Sequence, residues 1–195
     1  VVLLQIGLQD TFLKHWRTLK RMKQKENNGM NDAQYWIDRL DLEPHVEGGY
    51  FKETYRADEN IGSHALPERF SGNRSFCTAI YFLLHNRDFS AFHRVKQDEL
   101  WHFYTGDTLL LHIINQQGNY SQIRLGMNFD DGEVFQAMVP KGSWFGANLK
   151  TQDSFALVGC TVAPGFDYAD LEIARRDVLV KLFPKHRQII ERLTR

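Results

Sequence analysis

The 195-residue sequence predicts a mainly β fold, a barrel or two-sheet sandwich with helices at its N- and C-terminal ends. Nine short segments between residues 50 and 162 alternate apolar and polar side chains with period two. Turn residues punctuate them, and helical spacing appears only outside that stretch. Many short strands at such spacing are the signature of a sandwich or barrel.

The elements follow in order. Residues 1–30 form a basic amphipathic extension: Lys14, Arg17, Lys20, Arg21, Lys23 and Lys25 face only Asp10 and Glu26, and Phe12, Leu13, Trp16, Leu19 and Met22 recur at helical spacing. Asn27-Asn28-Gly29 reads as a linker to a single domain over 31–195. Asn31 or Asp32 can cap a helix through Tyr35, Trp36, Ile37 and Leu40, which Leu42-Glu43-Pro44 ends. Strands are expected at 50–56, 75–84, 90–95, 99–104, 107–115, 120–125, 133–139, 143–149 and 154–162. Turns fall at Gly106-Asp107, Gln117-Gly118-Asn119, Asp130-Asp131-Gly132 and Pro140-Lys141-Gly142. The irregular stretch 57–74 is too long for a plain connection and is expected to fold over the barrel mouth. Residues 170–193 read as helical, broken in two by Pro184.

Composition narrows the function classes. With 24 basic and 24 acidic side chains the net charge is zero, which argues against a nucleic-acid partner. The opening VVLLQIGL is too short to span a membrane and lacks the flanks of a secretory signal. Cys77 and Cys160 lie in apolar runs and read as small buried thiols, in keeping with the cytoplasm. Mitochondrial-type targeting by the basic helix is a second reading.

A barrel of this size holds its ligand inside, so parity along the strands selects the candidate residues. If His93 points inward, so do Ala91 and Val95. Across the next turn Glu99 joins Trp101 and Phe103, which places an imidazole near a carboxylate in an aromatic lining. His102 falls on the opposite face, and simple alternation also sets Lys52 and Arg56 opposite Glu53.

The run from His93 through Glu99 to Gly106, followed by Gly132 and Pro140-Lys141-Gly142, resembles the two motifs of the cupin superfamily. The resemblance implies a double-stranded β-helix, the cupin jelly-roll barrel. It also implies a metal bound by two histidines and a glutamate from the first motif and a histidine from the second. In this chain Val95 stands at the second of these positions and Phe145 at the last. With two of four ligands replaced, no cofactor is expected, and a weak divalent metal at His93 and Glu99 is the alternative.

Four segments in order, EPHVEGGYFKETYR, FHRVKQDELWHFYTG, VPKGSWFGA and LVGCTVAPGFDYADLE, are similar to a narrower uncharacterised cupin-like family over roughly residues 34–193. That resemblance implies a barrel, commonly a homodimer. EGGYFKETYR further resembles the segment that opens the barrel of dTDP-sugar 3,5-epimerases, with Phe51 and Glu53 at the aromatic and glutamate positions and Gly48 where the epimerases carry arginine.

The epimerase resemblance implies a small polar ligand, a carbohydrate or nucleotide sugar. The ligand-binding candidates are Glu47, Tyr50, Phe51, Glu53, Arg56, Tyr81, Trp101, Phe145 and Phe166. His93 is the expected base, with Glu99 or Asp170 fixing its tautomer and Tyr81, Tyr104 or Tyr168 as acid. For His93 a plain core imidazole is the competing reading, for the aromatics it is core packing, and for Asp170 it is a helix cap. Three function classes follow: a metal-independent epimerase or isomerase, a non-catalytic small-molecule binder, and a metal-dependent oxygenase or isomerase with a reduced ligand set.

Overall fold

The computed structural model describes residues 32–195. The basic extension and Asn31 lie outside the described residues. The first helix, α1 (Ala33–Leu40), starts where Asp32 accepts a hydrogen bond from the Gln34 backbone N–H at 3.0 Å. It ends at Asp41 in the left-handed conformation. Thirteen strands follow: β1 (Glu43–Pro44), β2 (Tyr50–Arg56), β3 (Asn60–Ile61), β4 (Arg74–Ser75), β5 (Thr78–His85), β6 (Phe89–Arg94), β7 (Asp98–Gly106), β8 (Leu109–Ile114), β9 (Tyr120–Leu125), β10 (Gln136–Val139), β11 (Trp144–Leu149), β12 (Phe155–Ala163) and β13 (Glu172–Ile173). The chain closes with α2 (Arg176–Leu182) and α3 (Arg187–Arg192), separated by a 3-10 turn at Pro184–His186.

Two antiparallel sheets face each other in the order β1-β2-β5-β12-β7-β10 and β13-β6-β11-β8-β9. Alternation along the strands sends one set of side chains between the sheets, where Phe82, Leu84, Trp101, Leu111, Phe145 and Val158 form the main core. Two smaller apolar clusters cover the outer faces. Ile37 and Leu42 pack on Leu83, Phe155 and Leu157, while Leu179, Ile190 and Leu193 pack on Phe92, Ile114 and Trp144. Gly106, at φ 104°, ends β7 where a Cβ would meet the Phe155 carbonyl oxygen at 2.2 Å, so glycine is the residue this turn accepts.

Two local expectations differ from the structure. Residues 170–175 do not extend the C-terminal helix, because Glu172 and Ile173 pair with Arg94 and His93 at the edge of the second sheet. In β2, the pairing with β5 skips Thr54: Glu53 lies opposite Ile80, and Tyr55 opposite Ala79. That bulge reverses the parity beyond it and brings Arg56 to the same side as Glu53. The 57–74 stretch folds as β3, a 3-10 turn at Ser63–Ala65 and β4. Among the described residues, none from 57 to 74 lines the barrel cavity.

Candidate functional site

Between the sheets lies a cavity of about 480 Å³. Phe51, Ile80, Phe82, Val95, Trp101, Val162 and Phe166 form its apolar walls. The buried polar groups Glu47, Glu99 and Cys160, with half-buried His45, occupy its interior, and exposed Glu53, Arg56, Asp167 and Tyr168 its rim. Arg56 holds Glu53 in a two-pronged pair, Nε to Oε1 at 2.9 Å and Nη2 to Oε2 at 2.7 Å. Its Nη1 donates to the Phe166 carbonyl at 3.1 Å, tying the β2 rim to the segment after β12.

The tight turn His45–Gly49 places Glu47. Gly48, at φ 112°, passes so close to the chain that a Cβ would meet the Phe89 carbonyl oxygen at 2.2 Å. The Glu47 carbonyl in turn accepts the Ala91 N–H at 2.8 Å, stitching the turn to β6. Glu47 Oε2 accepts from Ser90 Oγ at 3.2 Å, and Glu47 Oε1 sits 3.3 Å from His93 Nε2.

With the His93 ring neutral, as its burial favours, hydrogen-bond valence assigns the proton between these two residues. His93 donates Nδ1–H to the Ala91 carbonyl at 2.7 Å, so Nε2 of the neutral ring is an acceptor and Glu47 must offer an O–H. Electrostatics agrees. Burial, and then the negative charge of Glu99, raises the Glu47 pKa well above the usual carboxylate range. Burial lowers His93 to about 3 against the opposing Ala91 bond. His45 is lowered by burial to about 4, and it packs edge-on against Phe51 at 4.5 Å.

Glu99 is the group of this cavity that titrates near neutrality. Burial raises its pKa to about 7, a shift moderated by the Cys160 thiol and the Trp101 indole beside it. The Cys160 thiol is pushed up by burial and by Glu99, so it stays protonated. Trp101 Nε1 is buried close to the Glu99 carboxyl but has no hydrogen bond of good geometry.

Of the ligand-binding candidates, Glu47, Phe51, Glu53, Arg56, Trp101 and Phe166 line this cavity, as does Glu99. Tyr50 and Tyr81 do not: both face the outer cluster under α1, and Tyr81 packs edge-on against Tyr104 at 5.8 Å. Phe145 is fully buried core, its ring centroid 4.0 Å from that of His93. Among the candidate acids, Tyr168 lines the cavity, whereas Tyr81 and Tyr104 do not.

The expectation that His93 titrates near neutrality is corrected by its burial, and its carboxyl partner is Glu47, not Glu99 or Asp170. Asp170 lies elsewhere, bound by Arg74 at 2.6 and 2.7 Å and by Gln97 at 2.7 Å. Burial raises its pKa, but the bonds from Arg74, Gln97 and Lys96 outweigh that and hold it low. Sequence reasoning missed His45 and Cys160 as cavity residues. His45 carried one signal, its place in the EPHVEGG turn.

The donor set does not fit the metal that the cupin motifs imply. Val95 and Phe145 stand at two ligand positions, both His93 nitrogens are engaged, and no group of three or more His, Cys, Asp or Glu among the described residues is placed to hold an ion. His93 Nε2 lies 3.3 Å from Glu47 Oε1, and among the described residues no ion pair joins His93 to Glu99.

Fold and motifs define a cupin, and the comparisons agree. Residues 34–174 match the family described as Cupin superfamily (DUF985), and the chain belongs to it. It is similar to the uncharacterized protein YML079W of Saccharomyces cerevisiae, 30% identical over 158 residues, covering 72% of this chain and 74% of that protein. Among solved structures it resembles protein SO0799 of Shewanella oneidensis, at 36% identity and TM-score 0.76, covering 84% of this chain and 98% of the other. A hypothetical protein from Leishmania major gives 34% identity and TM-score 0.75, covering 84% and 99%. No helix among the described residues is long and apolar enough to cross a membrane.

Proposed function

We propose that the barrel binds a small carbohydrate-like carbonyl compound and moves a proton on it without a metal, as an epimerase or isomerase does. The observation that carries this reading is Glu99, a carboxyl buried in the ligand cavity with its pKa pushed up to about 7. As carboxylate it takes the proton from the carbon next to the carbonyl, whose C–H electron pair becomes the enolate. Return of a proton from Glu99 completes the exchange. The buried Trp101 N–H, beside Glu99 but without a well-formed bond, is the donor for the carbonyl oxygen. His93, first expected as the base, instead faces Glu47, which burial and the Glu99 charge keep protonated, so that a second negative charge stays out of the cavity.

A nucleotide sugar receives less support than a simple sugar. Arg56 is the sole Lys or Arg side chain lining the cavity among the described residues, and Glu53 already neutralises it. We also propose a homodimer, supported by the exposed cross-strand pair Leu100 and Met138 on the outer sheet face; a monomeric mass in light scattering contradicts it.

The test of the catalytic reading is mass spectrometry of candidate ketoses and aldoses incubated with the protein in D2O. Deuterium enters the ligand at a rate that rises with pH through about 7, as the Glu99 carboxylate forms, and Glu99→Gln abolishes it. Saturable binding with no deuterium uptake supports the non-catalytic binder instead.

A further inference from the structure

A second groove, of about 800 Å³, lies beyond the cavity wall. Segment 166–172 separates the two: Phe166, Asp167 and Tyr168 line the cavity, while Ala169 through Glu172 line the groove. Four cations from separate parts of the chain converge there, Arg69 from the 57–74 stretch, Arg94 and Lys96 around the β6–β7 turn, and Lys141 from the β10–β11 turn. The protein as a whole carries no net charge, so this excess is local.

The acids of the groove do not balance it. Asp170, its side chain fully buried, is already neutralised by the two-pronged Arg74 pair, and Lys96 Nζ at 3.3 Å shares that same carboxylate. Glu172 is held by Arg94 at 2.7 Å. Among the described residues neither Arg69 nor Lys141 is ion-paired.

Arg69 is nevertheless anchored at its guanidinium and Lys141 at its backbone. Arg69 Nε donates to the Lys96 carbonyl at 2.9 Å. The Lys141 backbone N–H donates to Asp98 Oδ1 at 2.7 Å, and its carbonyl accepts from Gln116 Nε2 at 2.9 Å. A held guanidinium without a counter-charge, and a lysine whose backbone is fixed, reduce the ordering cost that an anion would otherwise meet. Beside them Trp144 presents a ring over which the Arg94 guanidinium stacks at 4.6 Å, and Leu182 and Phe183 add an apolar wall.

We propose that this groove is an anion site for a phosphomonoester carried on a flat or apolar body, with Arg69, Lys96 and Lys141 holding the phosphate. The site is independent of the barrel chemistry proposed above. Inorganic phosphate supplies the charge alone, a nucleoside monophosphate supplies charge and a flat body, and the free nucleoside supplies the body alone.

Titration of the full chain with each probe at low salt, followed by amide chemical shifts, tests the proposal. The monophosphate is expected to saturate below about 10 mM, more tightly than inorganic phosphate, with shifts around the groove that weaken as salt is added. The double variant Arg69→Glu/Lys141→Glu, at two exposed positions, weakens binding about tenfold or more, whereas Glu99→Gln leaves it unchanged. Absence of saturation, equal binding of the free nucleoside, or binding indifferent to the double variant overturns it.

Discussion

Replacing Asp170 with alanine is expected to remove about 3–5 kcal/mol of stability, the largest loss we predict for a single side chain. Its carboxylate is fully buried and receives two short bonds from Arg74, whose side chain is itself 4% exposed, plus one from Gln97. Truncation leaves the Arg74 guanidinium buried without a counter-charge, which costs far more than the net worth of the pair. A double replacement, Arg74→Met with Asp170→Leu, is expected to recover most of the loss, because neither charge then remains to be desolvated. Urea unfolding of the three proteins measures this; a loss below about 1 kcal/mol for Asp170→Ala would show that Arg74 regains solvent through the neighbouring groove.

Glu99→Gln is expected to stabilise the protein at high pH and to leave it unchanged at low pH. The usual glutamate value is 4.5, and burial lifts Glu99 to about 7 in the folded state. Below 4.5 both folded and unfolded chains carry the proton, so there is no penalty. Between 4.5 and 7 the unfolded chain has released it while the folded chain retains it, and stability falls as pH rises. Above 7 the difference is constant, at about 3 kcal/mol. Glutamine, which does not titrate, escapes this loss. The stability gain of the variant should therefore be near zero at about pH 4 and reach about 3 kcal/mol at about pH 8. Glu47 penalises both proteins in the same direction, but less in the variant, where the Glu99 charge that helps raise its pKa is gone, so the difference reports on Glu99 together with its coupling to Glu47. Parallel stability curves would mean that Glu99 titrates like an exposed carboxylate.

The strands were the most legible part of the chain. Period-two alternation after Gly48-Gly49 delimited Tyr50–Arg56 to the residue, and parity between Asp98 and Phe103 sorted Glu99 and Trp101 inward and His102 outward. Parity failed where the ladder was irregular. The bulge at Thr54 put Arg56 beside Glu53, and no local pattern announces an extra residue in a strand. Residues 170–175 carry helix-forming side chains, but backbone pairing with β6 overrides that preference.

The site was legible in its residue types and not in its partnerships. Cupin-like spacing singled out His93 and Glu99, yet His93 meets Glu47 from a turn far back in the chain, a contact that no periodicity encodes. His93 and Glu99 also depart in opposite directions from the protonation their types suggest, for a reason invisible in sequence. Burial favours the neutral form of each, which removes the imidazole from the physiological range and brings the carboxyl into it. Tyr50, Tyr81 and Phe145 have the chemistry of ligand contacts, and only the sheet geometry assigns the first two to the outer face and the third to the core.

The most direct test is the titration of the Glu99 side-chain carboxyl carbon by NMR, assigned by its loss in Glu99→Gln. The account predicts a midpoint near pH 7, with the His93 ring neutral throughout the physiological range. A Glu99 midpoint near the ordinary 4.5 would contradict it, since the cavity would then hold a permanent anion in place of a group able to take up and release a proton at neutral pH.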